Sequence, residues 1–459
     1  MLDKILLLNP PVFGGKRYIR SGYCNSVSKG GYYWSPIDLL VQSGILKNNF
    51  DISVLDASAL NLSPEKTIKF LYKNHNDFFG MFFISSLASY QYDFPFAEKL
   101  KTDFNIKKIL VSAGFLLFDN SKYLQNYKAI DGVLLDYTSN ESIDFFKNEK
   151  KDYSFISTAS NIKNIEQINR ISNIQFEYPV PLHLKFPLKQ YYMPNCKKLP
   201  MTNIITNLGC PFKCGFCTWS ALKYRQRKIE NTIEELKYLN NNGISEIMFI
   251  DPTFGANKKY TETLLKQIIH EKINIGFSIE CRVDLIEENF IKLLKNAGCH
   301  SITFGIESGN DEILKNIKKG FSVADIKRAF SLCHKYSLKP TGHFIIGLPG
   351  ESVQTITDTI NLAIELDCDF ASFNIVMPLP GTEMFKKYNF TEAVSCSDVE
   401  SPLLNENVSL TPDEIVKYSK FAFKKFYFRP KYIFKTILKF KNWVQLKIIL
   451  REFFLSLKR

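Results

Sequence analysis

Apolar and polar positions alternate in two long blocks, and each block repeats one kind of unit. Over residues 1–150, apolar runs at 4–9, 51–56, 78–85, 107–112 and 132–136 have strand length, while 36–47, 64–74 and 92–104 have helical spacing. Strands alternating with helices predict a parallel sheet with helices on its faces, here a five-stranded Rossmann-like or flavodoxin-like domain. From 151 to 200 the rhythm breaks. Ser, Asn and Lys give way to Pro179, Pro181, Pro187, Pro194 and Pro200, the composition of a linker laid along a surface. A second alternation fills 201–390, with strands expected at 202–206, 246–251, 274–280, 301–306, 341–347 and 371–377. Helical stretches follow at 229–241, 258–270, 285–296, 323–336 and 353–366. Six such units predict an α/β fold of the partial (β/α)6 TIM-barrel type, with chemistry at the C-terminal strand ends. Residues 391–459 form a C-terminal extension, helical from Pro412 and broken at Arg429-Pro430.

Charge changes the picture only at the end of the chain. From Thr411 onward there are 13 lysines and arginines against 3 acidic residues, so this tail holds +10 of the net +13. Phe421, Phe423, Phe426, Tyr427 and Phe428 are interleaved with Lys424, Lys425 and Arg429, and Lys431, Lys435 and Lys439 recur at helical spacing. Such a basic amphipathic segment suits an anionic membrane surface, or else packs its apolar side on the preceding domain. It has no stacking platform for nucleic acid, and none is expected as a partner. No apolar run is long enough to span a bilayer, and the N-terminus has no leader pattern. A cytoplasmic protein is expected, peripheral to the inner membrane face if the tail binds lipid. Its ten cysteines are then thiols or metal ligands.

Three of those cysteines carry the sharpest chemistry. Gly209-Cys210-Pro211-Phe212-Lys213-Cys214-Gly215-Phe216-Cys217 sets Cys210, Cys214 and Cys217 at C-x3-C-x2-C, just after the first strand of the second block. Three thiolates so spaced bind three irons of a cubane and leave the fourth open to an exchangeable ligand. A structural zinc site would want a fourth Cys or His nearby, and Cys196 and Cys281 are poorly spaced for it. Cys299, Cys333, Cys368 and Cys396 show no second cluster spacing.

The chain resembles the radical S-adenosylmethionine (SAM) superfamily, in the subgroup with an N-terminal cobalamin-binding-like domain. Besides the cysteines, the resemblance rests on Ile250-Asp251-Pro252-Thr253-Phe254, Glu280-Cys281-Arg282-Val283-Asp284, Gly305-Ile306-Glu307-Ser308-Gly309 and the run from Gly342 to Glu351. It continues through Pro378-Leu379-Pro380-Gly381-Thr382 and Phe426-Tyr427-Phe428-Arg429-Pro430. It implies an enzyme that binds a 4Fe-4S cluster and SAM, cleaves SAM reductively and generates a 5′-deoxyadenosyl radical. It further implies cobalamin-dependent methyl transfer to an unactivated carbon of a small molecule or lipid precursor. An electron donor such as flavodoxin or ferredoxin is implied as well. Carried over by position, Phe216 packs near adenine, Glu280, Arg282 and Glu307 face the ribose and methionyl groups, and Gly347 lets backbone approach the adenine. Their plain alternatives are core packing for Phe216, an ion-pair network for the three charged residues and a turn for Gly347.

The N-terminal resemblance rests on Leu8-Asn9-Pro10-Pro11, on Asp56-Ala57 and on the strand–helix order. The cobalt-ligating D-x-H-x-x-G pattern is absent, and His75-Asn76-Asp77-Phe78-Phe79-Gly80 precedes a strand instead of following one. Ser112-Ala113-Gly114-Phe115 and Asp136 to Glu141 replace the family's usual turns. A radical SAM enzyme that uses no cobalamin and performs a cyclisation, rearrangement or oxidation is the second expectation, and a non-catalytic cluster protein the third.

Overall fold

The computed structural model describes residues 2–21, 24–27, 32–74, 77–149, 152–387 and 410–438. His75, Asn76, Cys396 and Lys439 lie outside them.

The first sheet contains the parallel strands Lys4–Asn9, Asp51–Asp56, Gly80–Ile84, Lys108–Ser112 and Gly132–Leu134. The second lies outside the first, and the third to fifth follow on the other side, which is the flavodoxin-like order. A sixth strand, Ile156–Ser157, adds antiparallel to the far edge. Alternate side chains enter two different cores. Leu6, Leu8, Met81 and Phe83 pack on one side, and Ile5, Leu7, Phe82 and Ile84 on the other. Both faces are therefore covered, which explains the unbroken apolar runs.

The second of those cores runs on into the rest of the molecule. The helix Ile37–Leu46 is buried at all ten positions, as expected of a helix apolar nearly all round. Its Gly44 lets the linker cross close by: a Cβ there would stand 2.1 Å from the Pro179 carbonyl oxygen. The linker also supplies the strand Gln175–Phe176, which pairs with Arg225–Arg227.

The second sheet is parallel and consecutive, in the order Met201–Ile204, Glu246–Phe249, Gly276–Cys281, Cys299–Glu307, Lys339–Ile346 and Phe370–Ile375. The helices Ile229–Asn241, Lys258–His270, Glu288–Asn296, Val323–Lys335 and Val353–Glu365 lie between successive strands. Near the C-terminal strand ends, buried and half-buried positions alternate. Phe344, Ile346 and Phe373 are buried, whereas His343, Ile345, Ser372 and Asn374 are half-buried. One face is thus packed on helices and the other opens to solvent at that edge.

The tail helix Pro412–Tyr427 starts at a capping box made by Thr411 and Glu414 and buries Ile415, Ala422 and Phe426. It covers the last strand. The Tyr427 hydroxyl accepts from the Ala371 N–H (3.1 Å) and donates to the Ala371 carbonyl (2.7 Å), and the Ser419 hydroxyl donates to the Phe373 carbonyl (3.0 Å). An exposed strand edge would pair with other chains, and this helix occupies its backbone groups. The apolar side of this helix therefore packs on the sheet. No helix among the described residues is long and apolar enough to cross a membrane.

Candidate active site

The cysteine loop leaves the first strand of the second sheet and is pinned from several sides. Gly209 has φ +69°, and a Cβ there would stand 2.3 Å from the Lys223 carbonyl oxygen, so both conformation and space require glycine. The Cys210 N–H donates to the Trp219 carbonyl (3.1 Å) and the Cys217 N–H to the Cys214 carbonyl (3.2 Å). The Gly215 N–H reaches Ile317 (3.0 Å), and its carbonyl accepts from the Met384 N–H (2.9 Å). Cys214 is buried, and Cys210 and Cys217 are half-buried. Burial pushes the Cys217 thiol up to about 12 and raises Cys214 as well. Among the described residues no three His, Cys, Asp or Glu side chains converge on a single-ion site. Ligands of a cubane each bind a different iron and need no such convergence.

Charged groups from the third and fourth strands surround this loop. Arg282 forks onto Asp284 (2.9 and 3.0 Å), donates to the Lys319 carbonyl (2.7 Å) and stands 3.8 Å from the Cys214 sulfur. Its guanidinium lies 3.9 Å from the centre of the Phe212 ring. Glu307 has φ +70° at a register shift between Gly305 and Glu307, a left-handed conformation that is costly without glycine. That turn aims its carboxylate at Lys319, 2.7 Å away, with both groups buried. Burial alone would lower the Lys319 ammonium, but Glu307 and Cys214 outweigh it, and the pKa ends up raised. Phe216 is half-buried, with the Lys319 ammonium 5.6 Å from its ring centre.

Glu280 completes the group without a counter-charge among the described residues. Burial first, then the nearby carboxylates of Asp251 and Glu307, push it up to about 7. Asp251 accepts from the backbone N–H groups of Thr206 (2.6 Å) and Asn207 (3.2 Å) and from the Thr206 hydroxyl, yet burial still raises it to about 6. Such a carboxylate cluster favours a cationic ligand, whose arrival would relieve the repulsion. The structure thus brings Cys210, Cys214, Cys217, Phe216, Glu280, Arg282 and Glu307 to one edge. Gly347 follows the fifth strand at the same edge; it is buried at φ +93°, and a Cβ there would meet Ile415 of the tail helix at 3.1 Å and Val376 at 3.2 Å. Its N–H donates to Glu351 (2.6 Å). Lys319 had no sequence signal, being one lysine among many in a short turn.

The first sheet turns its own C-terminal edge toward this site. Arg225 pairs with Asp136 (2.7 Å), just beyond the fifth strand of the first sheet. A Cβ on Gly381, beyond the last strand of the second sheet, would stand 2.1 Å from the Phe118 ring. Residues 204–363 match the model of the radical SAM superfamily. They are a radical SAM domain. A Pyrococcus horikoshii protein named as an uncharacterized methyltransferase is 28% identical, with 96% of each chain covered. The bacteriochlorophyllide d C-12(1)-methyltransferase of Chlorobaculum tepidum is 22% identical over 77% of this chain and 73% of its own. Among solved structures, the radical SAM methyltransferase TsrM from Kitasatospora setae, with cobalamin and a [4Fe-4S] cluster bound, aligns at TM-score 0.65. It is 16% identical and covers 94% of this chain and 86% of its own. The cobalamin-dependent enzyme OxsB, with aqua-cobalamin and SAM bound, aligns at TM-score 0.65 and 15% identity, covering 98% of this chain and 72% of its own. The chain is a radical SAM enzyme with the two-part fold of those structures.

In flavodoxin-like domains the ligand crevice lies between the first and third strands. Here Arg20 fills it. Its guanidinium binds Asp93 through two bonds (both 2.8 Å) and donates to the carbonyls of Pro10 (2.9 Å) and Pro11 (3.0 Å). Asp93 also accepts from Ser85 and Ser89, and at the neighbouring strand ends Asp56 accepts from Asn9 (2.9 Å) and Tyr191 (2.8 Å). Among the described residues no histidine side chain stands at this edge. His183 and His300 pair with Glu235 and Glu246, His270 ends the helix Lys258–His270, His334 donates to the Leu366 carbonyl (3.0 Å), and His343 lies on the fifth strand of the second sheet.

Proposed function

We propose that this chain is a cobalamin-dependent radical SAM methyltransferase acting on an unactivated carbon of a small molecule. The second sheet serves as a partial (β/α)6 barrel of the TIM type, with the basic helical tail as its cover. The observation that carries the reading is the C-x3-C-x2-C loop held against a cluster of raised carboxylates at one sheet edge. Cys210, Cys214 and Cys217 would hold the 4Fe-4S cluster, and Glu280, Asp251 and Glu307 would receive the positively charged end of SAM. When bound, the cluster supplies the electron that cleaves the sulfur–C5′ bond of SAM, and cobalamin supplies the methyl group. Arg282 keeps a fixed positive charge beside Cys214, and Lys319 holds the Glu307 side chain in place. Phe216 shields the loop from water.

The donor chemistry fits the cluster and SAM. For cobalamin it fits a corrin carried without a protein imidazole and without its nucleotide arm in the crevice as Arg20 now fills it. That filled crevice favours a second reading, a radical SAM enzyme of the same architecture without cobalamin. Partners in either case are a small-molecule substrate, a flavodoxin or ferredoxin as reductant, and an anionic membrane touched peripherally by the tail on the cytoplasmic side. Anaerobic reconstitution with iron, sulfide and cobalamin decides between the readings. About one corrin retained per chain, with S-adenosylhomocysteine formed during turnover, is expected. SAM cleavage without retained corrin would leave the second reading standing.

A further inference from the structure

Exposed large apolar side chains are scattered over most of this molecule, but four of them fall within residues 421–434. Phe421 is 48% exposed, Phe428 40%, Ile433 40% and Phe434 65%. Lys424, Lys425 and Lys431, in the same stretch, are exposed too, as is Lys420 just before it. The sequence beyond it, residues 439–459, adds six lysines and arginines against one glutamate, with Trp443, Leu446, Leu450, Phe453, Phe454 and Leu457 at helical spacing.

The position of this patch can be traced along the last strand. Ile415 sits beside Gly347 at the C-terminal edge, where the cysteine loop also lies. Ser419 then bonds Phe373, Tyr427 bonds Ala371, and Tyr432 bonds the Asp369 carbonyl (2.9 Å), just before the strand begins. Lys435 pairs with Asp367 (2.8 Å), and Arg429 reaches the Ile364 carbonyl (3.3 Å). The tail thus runs from the reaction edge to the opposite edge of the sheet. At about 3.3 Å per residue, the six-residue strand separates the two by roughly 20 Å.

We infer that Phe428, Ile433 and Phe434, among their lysines, form an anchor for an anionic membrane surface that holds the reaction edge away from the bilayer. The substrate therefore enters from water and is a soluble molecule. The inference rests on the membrane contact proposed above. Aromatic and aliphatic groups beside lysines are what an interfacial anchor needs: the rings enter the headgroup boundary and the ammonium groups meet anionic lipid. The two competing occupants of the patch are a second copy of the chain and residues 439–459 folded back over it.

The test uses the full chain and vesicles of phosphatidylcholine with or without phosphatidylglycerol. Wild type should float with the anionic vesicles and not with the neutral ones, and the Ile433→Ser/Phe434→Ser double variant should lose at least about tenfold in partitioning. Both changes are at exposed positions, and reductive cleavage of SAM by the variant should match wild type. Tryptophan introduced at Phe434, against tryptophan at exposed Val353 by the reaction edge, gives the orientation. Brominated lipids should quench the first at least about threefold more strongly than the second. No flotation of wild type would sink the membrane reading itself. Flotation undiminished in the double variant, or equal quenching at the two sites, would overturn the anchor while leaving that reading intact. A shift from dimer to monomer in the double variant would instead assign the patch to a second copy.

Discussion

Both sheets end in charged side chains at the C-terminal edges of their parallel strands, but the two edges differ in how those charges are partnered. At the first sheet Arg20 and Asp93 neutralise each other, and the neighbouring strand ends, Asn9 and Asp56, are tied to protein partners. Burial raises a carboxylate to about 6 on each edge, Asp56 on the first and Asp251 on the second, but Glu280 on the second has no such partner among the described residues and is pushed up to about 7, and Glu307 is held at a left-handed φ. One edge is satisfied by the protein itself. The other stores carboxylate repulsion at Glu280 and backbone strain at Glu307. The lesson is that a shared architecture does not make two strand edges equally ready to bind.

The largest expected effect separates the two edges outright. Cys214→Ala should lower 5′-deoxyadenosine formation by about a thousandfold, roughly 4 kcal/mol of barrier. Iron content should fall with it, and the unfolding midpoint of the metal-free chain should stay close to wild type. Next come the two buried ion pairs. Arg20→Met and Lys319→Met each leave a carboxylate buried and unpaired, at a cost of about 3–5 kcal/mol in urea unfolding. The difference between them lies in function. SAM cleavage per folded molecule should survive the first change and fail in the second, and an equal loss in both would erase the contrast drawn here.

Glu280 gives a smaller effect with a definite sign. Its carboxyl pKa is raised in the fold, so it contributes stability below about pH 4.3 that is lost as pH rises through 7. Glu280→Gln should therefore make the cofactor-free protein more stable at pH 8, by about 1–2 kcal/mol after solvent screening, and leave it unchanged at pH 4. SAM affinity should move the other way and weaken. Smallest is Tyr427→Phe, which removes both bonds to Ala371 and should cost about 1 kcal/mol, read as a modest drop in melting temperature with activity retained.

The main elements of both sheets were legible because each strand, buried on both faces or on one, carries an apolar run of strand length. The linker was less so. Ile156–Ser157 and Gln175–Phe176 have two residues each, too few to show a period. The cysteine loop was legible because its spacing is itself the signal, and Glu280, Arg282 and Glu307 followed from the motifs around them. Their partners were not, since Lys319 comes from a turn twelve residues beyond Glu307 and nothing in its neighbourhood marks it. Arg20 was equally silent: its role depends on Asp93, 73 residues away, across the first sheet. At Gly347 the motif marked the glycine but gave no sign that Ile415 of the tail packs against it.

The most direct test of the central claim, that the second sheet's edge is the reaction centre, is the yield of 5′-deoxyadenosine from reconstituted protein given dithionite and SAM. Nucleoside formed by wild type and lost in Cys214→Ala is the expected result. A chain with its full complement of iron and sulfide that cleaves no SAM would contradict the claim.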